Sequence, residues 1–190
     1  MNHGHLGDAF DHWKGYFISR LGGTVRDLRA VPMFTDENCV RVWNGRAVAA
    51  YAGLLGISAA NVLQSKVRFR NGDRAEYFDG VATVHGDLFV DPDTGISVRG
   101  DHKHVRPGDL ATLLRPDRER VLVVYQHAYR SHGYVKAILD KTRDAIDDSR
   151  IGLFAYDGGA AAMVFASRSR TRLSAMRRQL ERITRSRIVT

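Results

Sequence analysis

This 190-residue chain predicts one α/β domain whose mostly parallel sheet closes with an antiparallel hairpin. Three observations carry that expectation. Short apolar runs, Leu88-Phe89-Val90 and Val121-Leu122-Val123-Val124-Tyr125, alternate with stretches of helical period; such runs suit parallel strands buried on both faces. Ile151–Tyr156 and Ala161–Ser167 are joined by Asp157-Gly158-Gly159, which reads as a hairpin. Apolar residues make up 44% of the chain and charged residues 26%, which suits a globular domain of this length with its own core. Strands that alternate with helices place helices on both faces of a sheet, giving three layers. With no internal repeat or linker, residues 1–190 read as a single domain.

The elements follow in order. Phe10, Trp13, Phe17 and Leu21 form one stripe, so Asp8 to Leu21 is expected to be helical, with Asp8 as N-cap and Gly22-Gly23 as its end. Leu28 to Phe34 is a strand candidate that ends at Thr35-Asp36. Arg46 to Leu55 carries Val48, Tyr51 and Leu55 on one helical face, and Gly56 stops it. Val67–Arg70, Asn71-Gly72 and Glu76–Phe78 read as a hairpin, with a strand–helix unit as the other reading. Leu88-Phe89-Val90 is stopped by Asp91-Pro92-Asp93 and Gly95. A polar, basic stretch from Ile96 to Val105 leads into a short helix, Asp109 to Leu114. After the strand Val121–Tyr125 comes Gln126-His127-Ala128-Tyr129-Arg130, then a helix from Gly133 to Ile146. A last helix, Leu173 to Arg187, turns Leu173, Met176, Leu180 and Ile183 inward.

Ligands of open α/β sheets bind beyond the carboxyl ends of the strands. Asp91 and Asp93 emerge at one such end, and Gln126, His127 and Arg130 at another. Asp91, Asp93 and His127 are therefore the catalytic candidates. A histidine after a buried strand can serve as a general base or a metal ligand, and can equally be a satisfied half-buried histidine. Lys103, Gln126 and Arg130 are candidates for substrate or phosphate contact.

Charge narrows the partner. From Ser167 to Thr190 there are eight arginines and one glutamate, so +7 of the formal +8 lies in this segment. A basic helix with Arg177 and Arg178 on its outer face suits phosphate, and hence a nucleic acid or nucleotide. No run of apolar residues is long enough to span a bilayer, so no membrane partner is expected. The start of the chain lacks a signal-peptide pattern, and the single Cys39 leaves no internal disulfide or multi-cysteine zinc cage. A cytoplasmic location is expected, and a homodimer is a compatible assembly.

Gly7-Asp8-x-x-Asp11-x-x-Lys14, then Phe89-Val90-Asp91-Pro92-Asp93-Thr94-Gly95, then Val124-Tyr125-Gln126-His127-x-x-Arg130 resemble the motifs of a poorly characterised bacterial and phage family. Its members carry a GD-x-x-D-x-x-K opening, an FLDPD-(N/T)-G strand end and a YQH strand end. The likeness runs from Gly7 to about Ser167. The element order with its closing hairpin also resembles, more distantly, the Rossmann-like fold of S-adenosylmethionine-dependent methyltransferases. A distant likeness is to the bacterial ribosomal-RNA adenine-N6 enzymes, which have an Asn-x-x-Asp-x-x-Lys pattern and an Asp-Pro-Pro strand end or a variant of it. That resemblance implies S-adenosylmethionine as cofactor, held near Asp8, Asp11, Lys14 and Asp36, with Asp91 accepting a hydrogen bond from the target amino group. The chain departs from the pattern at two places. Val31-Pro32-Met33-Phe34-Thr35-Asp36-Glu37 holds no glycine after the first strand, and Asp93-Thr94 stands where Pro and an aromatic are usual.

Two other readings follow from the residues. In a Mg-dependent nuclease or phosphodiesterase of phage or defence type, Asp91 and Asp93 are hard oxygen ligands for the metal. Pro92-Asp93 followed by Asp101-x-Lys103 is then a loose PD-(D/E)xK match. In a non-catalytic nucleotide or nucleic-acid binding module, Asp91 caps the next turn, and His127 and Arg130 make structural hydrogen bonds.

Overall fold

The structure is a computed structural model, and it describes residues 6–35, 37–64, 73–117, 119–128, 133–184 and 188–190. The chain runs α1 (Ala9–Leu21), β1 (Arg29–Pro32), α2 (Glu37–Val42), α3 (Gly45–Leu55), α4 (Arg74–Thr83), β2 (Leu88–Asp91), β3 (Gly95–Ile96), β4 (His104–Val105), α5 (Pro107–Leu113), β5 (Leu122–His127), α6 (Tyr134–Ala145), β6 (Gly152–Asp157), β7 (Ala161–Ser167), α7 (Arg170–Thr184) and β8 (Ile188–Val189). The main sheet has six strands in the order β1-β2-β5-β7-β6-β8, and β3 and β4 pair apart from it.

The sheet is mixed. β1, β2 and β5 are parallel neighbours. β7 is antiparallel to both β5 and β6, and β8 is antiparallel to β6. The expected hairpin forms, and its return strand β7 inserts between β5 and β6.

Side chains alternate across a strand, and here the alternation sorts the core in two. Leu88, Val90, Leu122 and Val124 join Tyr77, Phe78, Leu110 and Leu139, from α4, α5 and α6. Phe89, Val123 and Tyr125 join Phe17, Leu21, Tyr51, Leu55, Met176 and Leu180, from α1, α3 and α7. Removing a side chain such as Phe89 from water contributes about 1.5–3 kcal/mol. Asp91 lies two residues beyond Phe89, so it shares the α1/α3 side of the sheet. The two helices there touch closely: a Cβ on Gly15 of α1 would lie 1.8 Å from the carbonyl oxygen of Leu54 in α3.

Several elements differ from the sequence reading. Glu76–Phe78 is not a hairpin strand but part of α4, because Tyr77, Phe78, Val81 and Ala82 make one buried helical face. The Asn71-Gly72 signal lies outside the described residues. α5 begins at Pro107, whose lost N–H is no cost in a first turn. α7 begins at Arg170, earlier than Leu173, since Ser169 O accepts the N–H of Leu173. The short elements α2, β3, β4 and β8 have no counterpart in that reading.

Candidate functional site

The start of α1 is capped twice. Asp8 Oδ1 accepts from the backbone N–H groups of Phe10 (2.8 Å) and Asp11 (3.0 Å), a cap worth about 1 kcal/mol. Asp11 then reaches back, and its Oδ2 accepts from Gly7 N at 2.9 Å. Its other oxygen receives Lys14 Nζ at 2.9 Å. Lys14 Nζ is also 2.9 Å from Asp91 Oδ1, and the second Asp91 oxygen accepts from Tyr51 OH at 2.8 Å. The Lys14 ammonium sits 4.3 Å from the centre of the Tyr125 ring, an added cation–π attraction. The GDxxDxxK spacing thus builds a cap and a buried ion cluster on the end of β2.

Asp91 is 0% exposed, Asp11 6% and Lys14 7%. Charges this deep persist only when paired and hydrogen-bonded. Burial works against the Lys14 ammonium, but the carboxylates of Asp91 and Asp11 outweigh it and hold its pKa well above the ordinary 10.5. Burial first, and then the Asp91 charge, pushes the Tyr51 phenol far up, so Tyr51 remains a donor. Asp91 is thereby held in one orientation from two sides.

Gln126 locks the next layer. Its Oε1 accepts from Ile96 N at 2.7 Å, and its Nε2 donates to the carbonyls of Thr94 (3.2 Å) and His127 (3.0 Å). The amide is 0% exposed, so it holds the 94–96 turn against β5. Gly95 makes the fit: its φ is +121°, and a Cβ there would lie 2.3 Å from Gln126 Oε1. Gly95→Ala is expected to lower stability by about 1–3 kcal/mol through backbone strain, which urea denaturation would measure; a neutral result would show that the turn is not held as described.

The open part of the rim comes next. His127 N donates to Thr94 O at 3.0 Å, which draws the residue after Asp93 beside His127. The imidazole is exposed, stacks edge-on against Phe10 at 5.3 Å, and has Nδ1 3.2 Å from Tyr125 OH. Burial keeps the Tyr125 phenol protonated far above its usual range. His127 Nδ1 therefore meets the Tyr125 phenol. Asp93 is half-buried and makes no hydrogen bond or ion pair with the described residues.

The remaining candidates are dispersed. Lys103 is exposed, and its backbone N–H donates to Asp101 Oδ1 at 2.9 Å. Arg177 is paired with Glu181 at 2.8 Å, and Arg178 is exposed. Asp36 and Arg130 lie outside the described residues. Sequence reasoning places Tyr51 and Tyr125 only on a helix face and in a strand, and misses their part in the cluster. The available signal was a hydroxyl on an apolar stripe, since a buried phenol seeks a partner.

Asp8, Asp11 and Lys14 bond to the start of α1, to each other and, through Lys14, to Asp91. Among the described residues, no group of three or more His, Cys, Asp or Glu is placed to hold a metal ion. No described helix is long and apolar enough to cross a membrane. A cleft of about 810 Å³ lies on the other side of the sheet from Asp91, between Ile96–Arg99 and α6, with Tyr134 and Lys141 in its wall. No family model, curated protein or solved structure matches the chain.

Proposed function

We propose that this chain is a methyltransferase-like α/β protein, with a three-layer Rossmann-like arrangement, that binds a nucleic acid or nucleotide at the Asp91-Pro92-Asp93 strand end. The observation that carries the reading is that the His127 N to Thr94 O bond brings together, at the adjacent ends of β5 and β2, the exposed His127 and the segment carrying Asp93, whose carboxylate makes no hydrogen bond or ion pair with the described residues. The closing hairpin, with β7 inserted between β5 and β6, supports the likeness to the methyltransferases. The roles differ from those the resemblance implies. Asp91 is a buried anchor that fixes the rim through Lys14 and Tyr51, while Asp93 and His127 face the ligand. A carboxylate and an imidazole there hydrogen-bond the edge of a base or a ribose hydroxyl. The buried state of Lys14 and Asp91 favours binding over methyl transfer.

Calorimetric titration with S-adenosylmethionine, and separately with the common nucleoside monophosphates, tests this. Saturable binding of a nucleotide is expected, weakened about tenfold in His127→Ala, as the loss of about 1.4 kcal/mol requires. Binding of S-adenosylmethionine that is lost in the same variant would move the reading to a methyltransferase. Absence of heat with every one of these ligands at millimolar concentration sinks the rim as a nucleotide site.

A further inference from the structure

The structure places part of the basic C-terminal charge on the outer face of α7. α7 buries Arg172, Leu173, Met176 and Leu180, which recur at helical spacing, and turns Arg170, Arg177, Arg178 and Arg182 to solvent. Arg177 is neutralised by Glu181. Arg170, Arg178 and Arg182 make no ion pair among the described residues. Arg170 and Arg182 are twelve residues apart, so the charged line extends over roughly 18 Å.

α1 lies alongside. Gln179 Nε2 donates to Arg20 O at 3.2 Å, and Thr24 Oγ1 meets Met176 Sδ at 3.1 Å. The outer side of α1 carries Tyr16, which is 57% exposed and is one of two large apolar side chains left open among the described residues. The Arg20 guanidinium lies 5.0 Å from the centre of its ring. An open aromatic ring with a guanidinium over it, beside a row of unpaired arginines, is what unpaired bases and a phosphate backbone require together. A duplex keeps its bases stacked inside and leaves such a ring unused. Arginine rather than lysine favours phosphate over a general anion.

We propose that the outer face of α1 and α7 binds single-stranded nucleic acid, with phosphates on Arg170, Arg178 and Arg182 and a base stacked on Tyr16. The inference rests on the reading above in taking nucleic acid as the partner, and it assigns the strand to a surface apart from the Asp93–His127 rim.

Fluorescence anisotropy with a labelled oligonucleotide of about 15 nucleotides, a length within the usual site sizes, tests it on the full chain. Arg178→Ala with Arg182→Ala should weaken binding at least tenfold and flatten the salt dependence by about two phosphate contacts. Tyr16→Ala should cost about tenfold for the single strand, with the salt slope kept. Tyr16→Phe should retain binding, and Arg143→Ala, on α6, should change nothing although it also removes a positive charge. Equal affinity for a duplex, or a silent Tyr16→Ala, would overturn the single-strand assignment. Tighter binding to vesicles of anionic phospholipid than to the oligonucleotide would overturn the choice of partner. Oligonucleotide binding that is untouched by the arginine variants but lost in His127→Ala would overturn this surface and leave the rim standing. Failure of the oligonucleotide to bind, with nucleotide binding intact, would sink this proposal alone.

Discussion

Lys14→Met should destabilise the protein by about 3–5 kcal/mol, the usual effect of removing one partner from a buried ion pair. The methionine fills much the same space, so the loss is electrostatic. Asp91 is then left fully buried with a single hydrogen-bond donor, Tyr51 OH, and Asp11 with the Gly7 N–H. Denaturant unfolding of the two proteins measures the difference. A change below about 1 kcal/mol would mean that the cluster is open to water, since exposed pairs contribute no more than that. Asp91→Asn in the Lys14→Met background should recover part of the loss, because it removes the orphaned charge; the coupling between the two sites is expected to exceed about 1 kcal/mol. The pH dependence has a definite sign. The folded pKa of Lys14 lies above its unfolded value of 10.5, so its contribution is fully present below that value. It fades only as pH rises through the higher folded value. The gap between wild type and variant is therefore expected to be constant from about pH 6 to 9, and to narrow in stronger alkali.

The sequence reading of the site was strongest where chemistry is local and weakest where it depends on distance along the chain. The helix with its Asp8 cap, the strand running into Asp91, and the Ile151–Ser167 hairpin are all legible, because apolar period and turn residues act over a few positions. The link between Tyr51 and Asp91 spans 40 positions, and nothing in either local pattern announces it. The motif Asp8-x-x-Asp11-x-x-Lys14 is visible as a pattern, but its consequence is not. Whether these polar groups face a ligand or each other depends on how α1 lies over β2. Gln126 shows the same ambiguity: a polar residue at a strand end reads as a ligand contact, and the fold spends its amide on the 94–96 turn. Asp93 and His127, by contrast, stand where the strand-end rule puts a ligand, and among the described residues the Asp93 carboxylate makes no hydrogen bond or ion pair. α4 shows a different limit. Glu76-Tyr77-Phe78 alone fits a strand, and only burial of Val81 and Ala82 on the same side makes the helical period decisive.

Arg172→Met should cost about as much as Lys14→Met, roughly 3–5 kcal/mol, for a reason located at the other end of the same strand. Arg172 donates two parallel bonds to Asp87, at 2.8 and 2.7 Å, across 85 positions of sequence. Asp87 also accepts from the backbone N–H groups of Val121 and Arg26. One carboxylate thus ties α7, β5 and the approach to β1 together at the entry to β2. Met in place of Arg172 leaves those two N–H donors but no countercharge, while Asp87→Asn in the same background should restore part of the stability. Asp87 and Asp91 lie about 13 Å apart along the extended strand. At that distance the Lys14 and Arg172 effects should add within about 0.5 kcal/mol. Partial substitutions such as Lys14→Arg and Arg172→Lys, compared singly and together by denaturant unfolding, keep the protein folded while this is measured. Strong non-additivity would show that β2 transmits strain from one ion cluster to the other, and that the rim at Asp91 is sensitive to how α7 is seated.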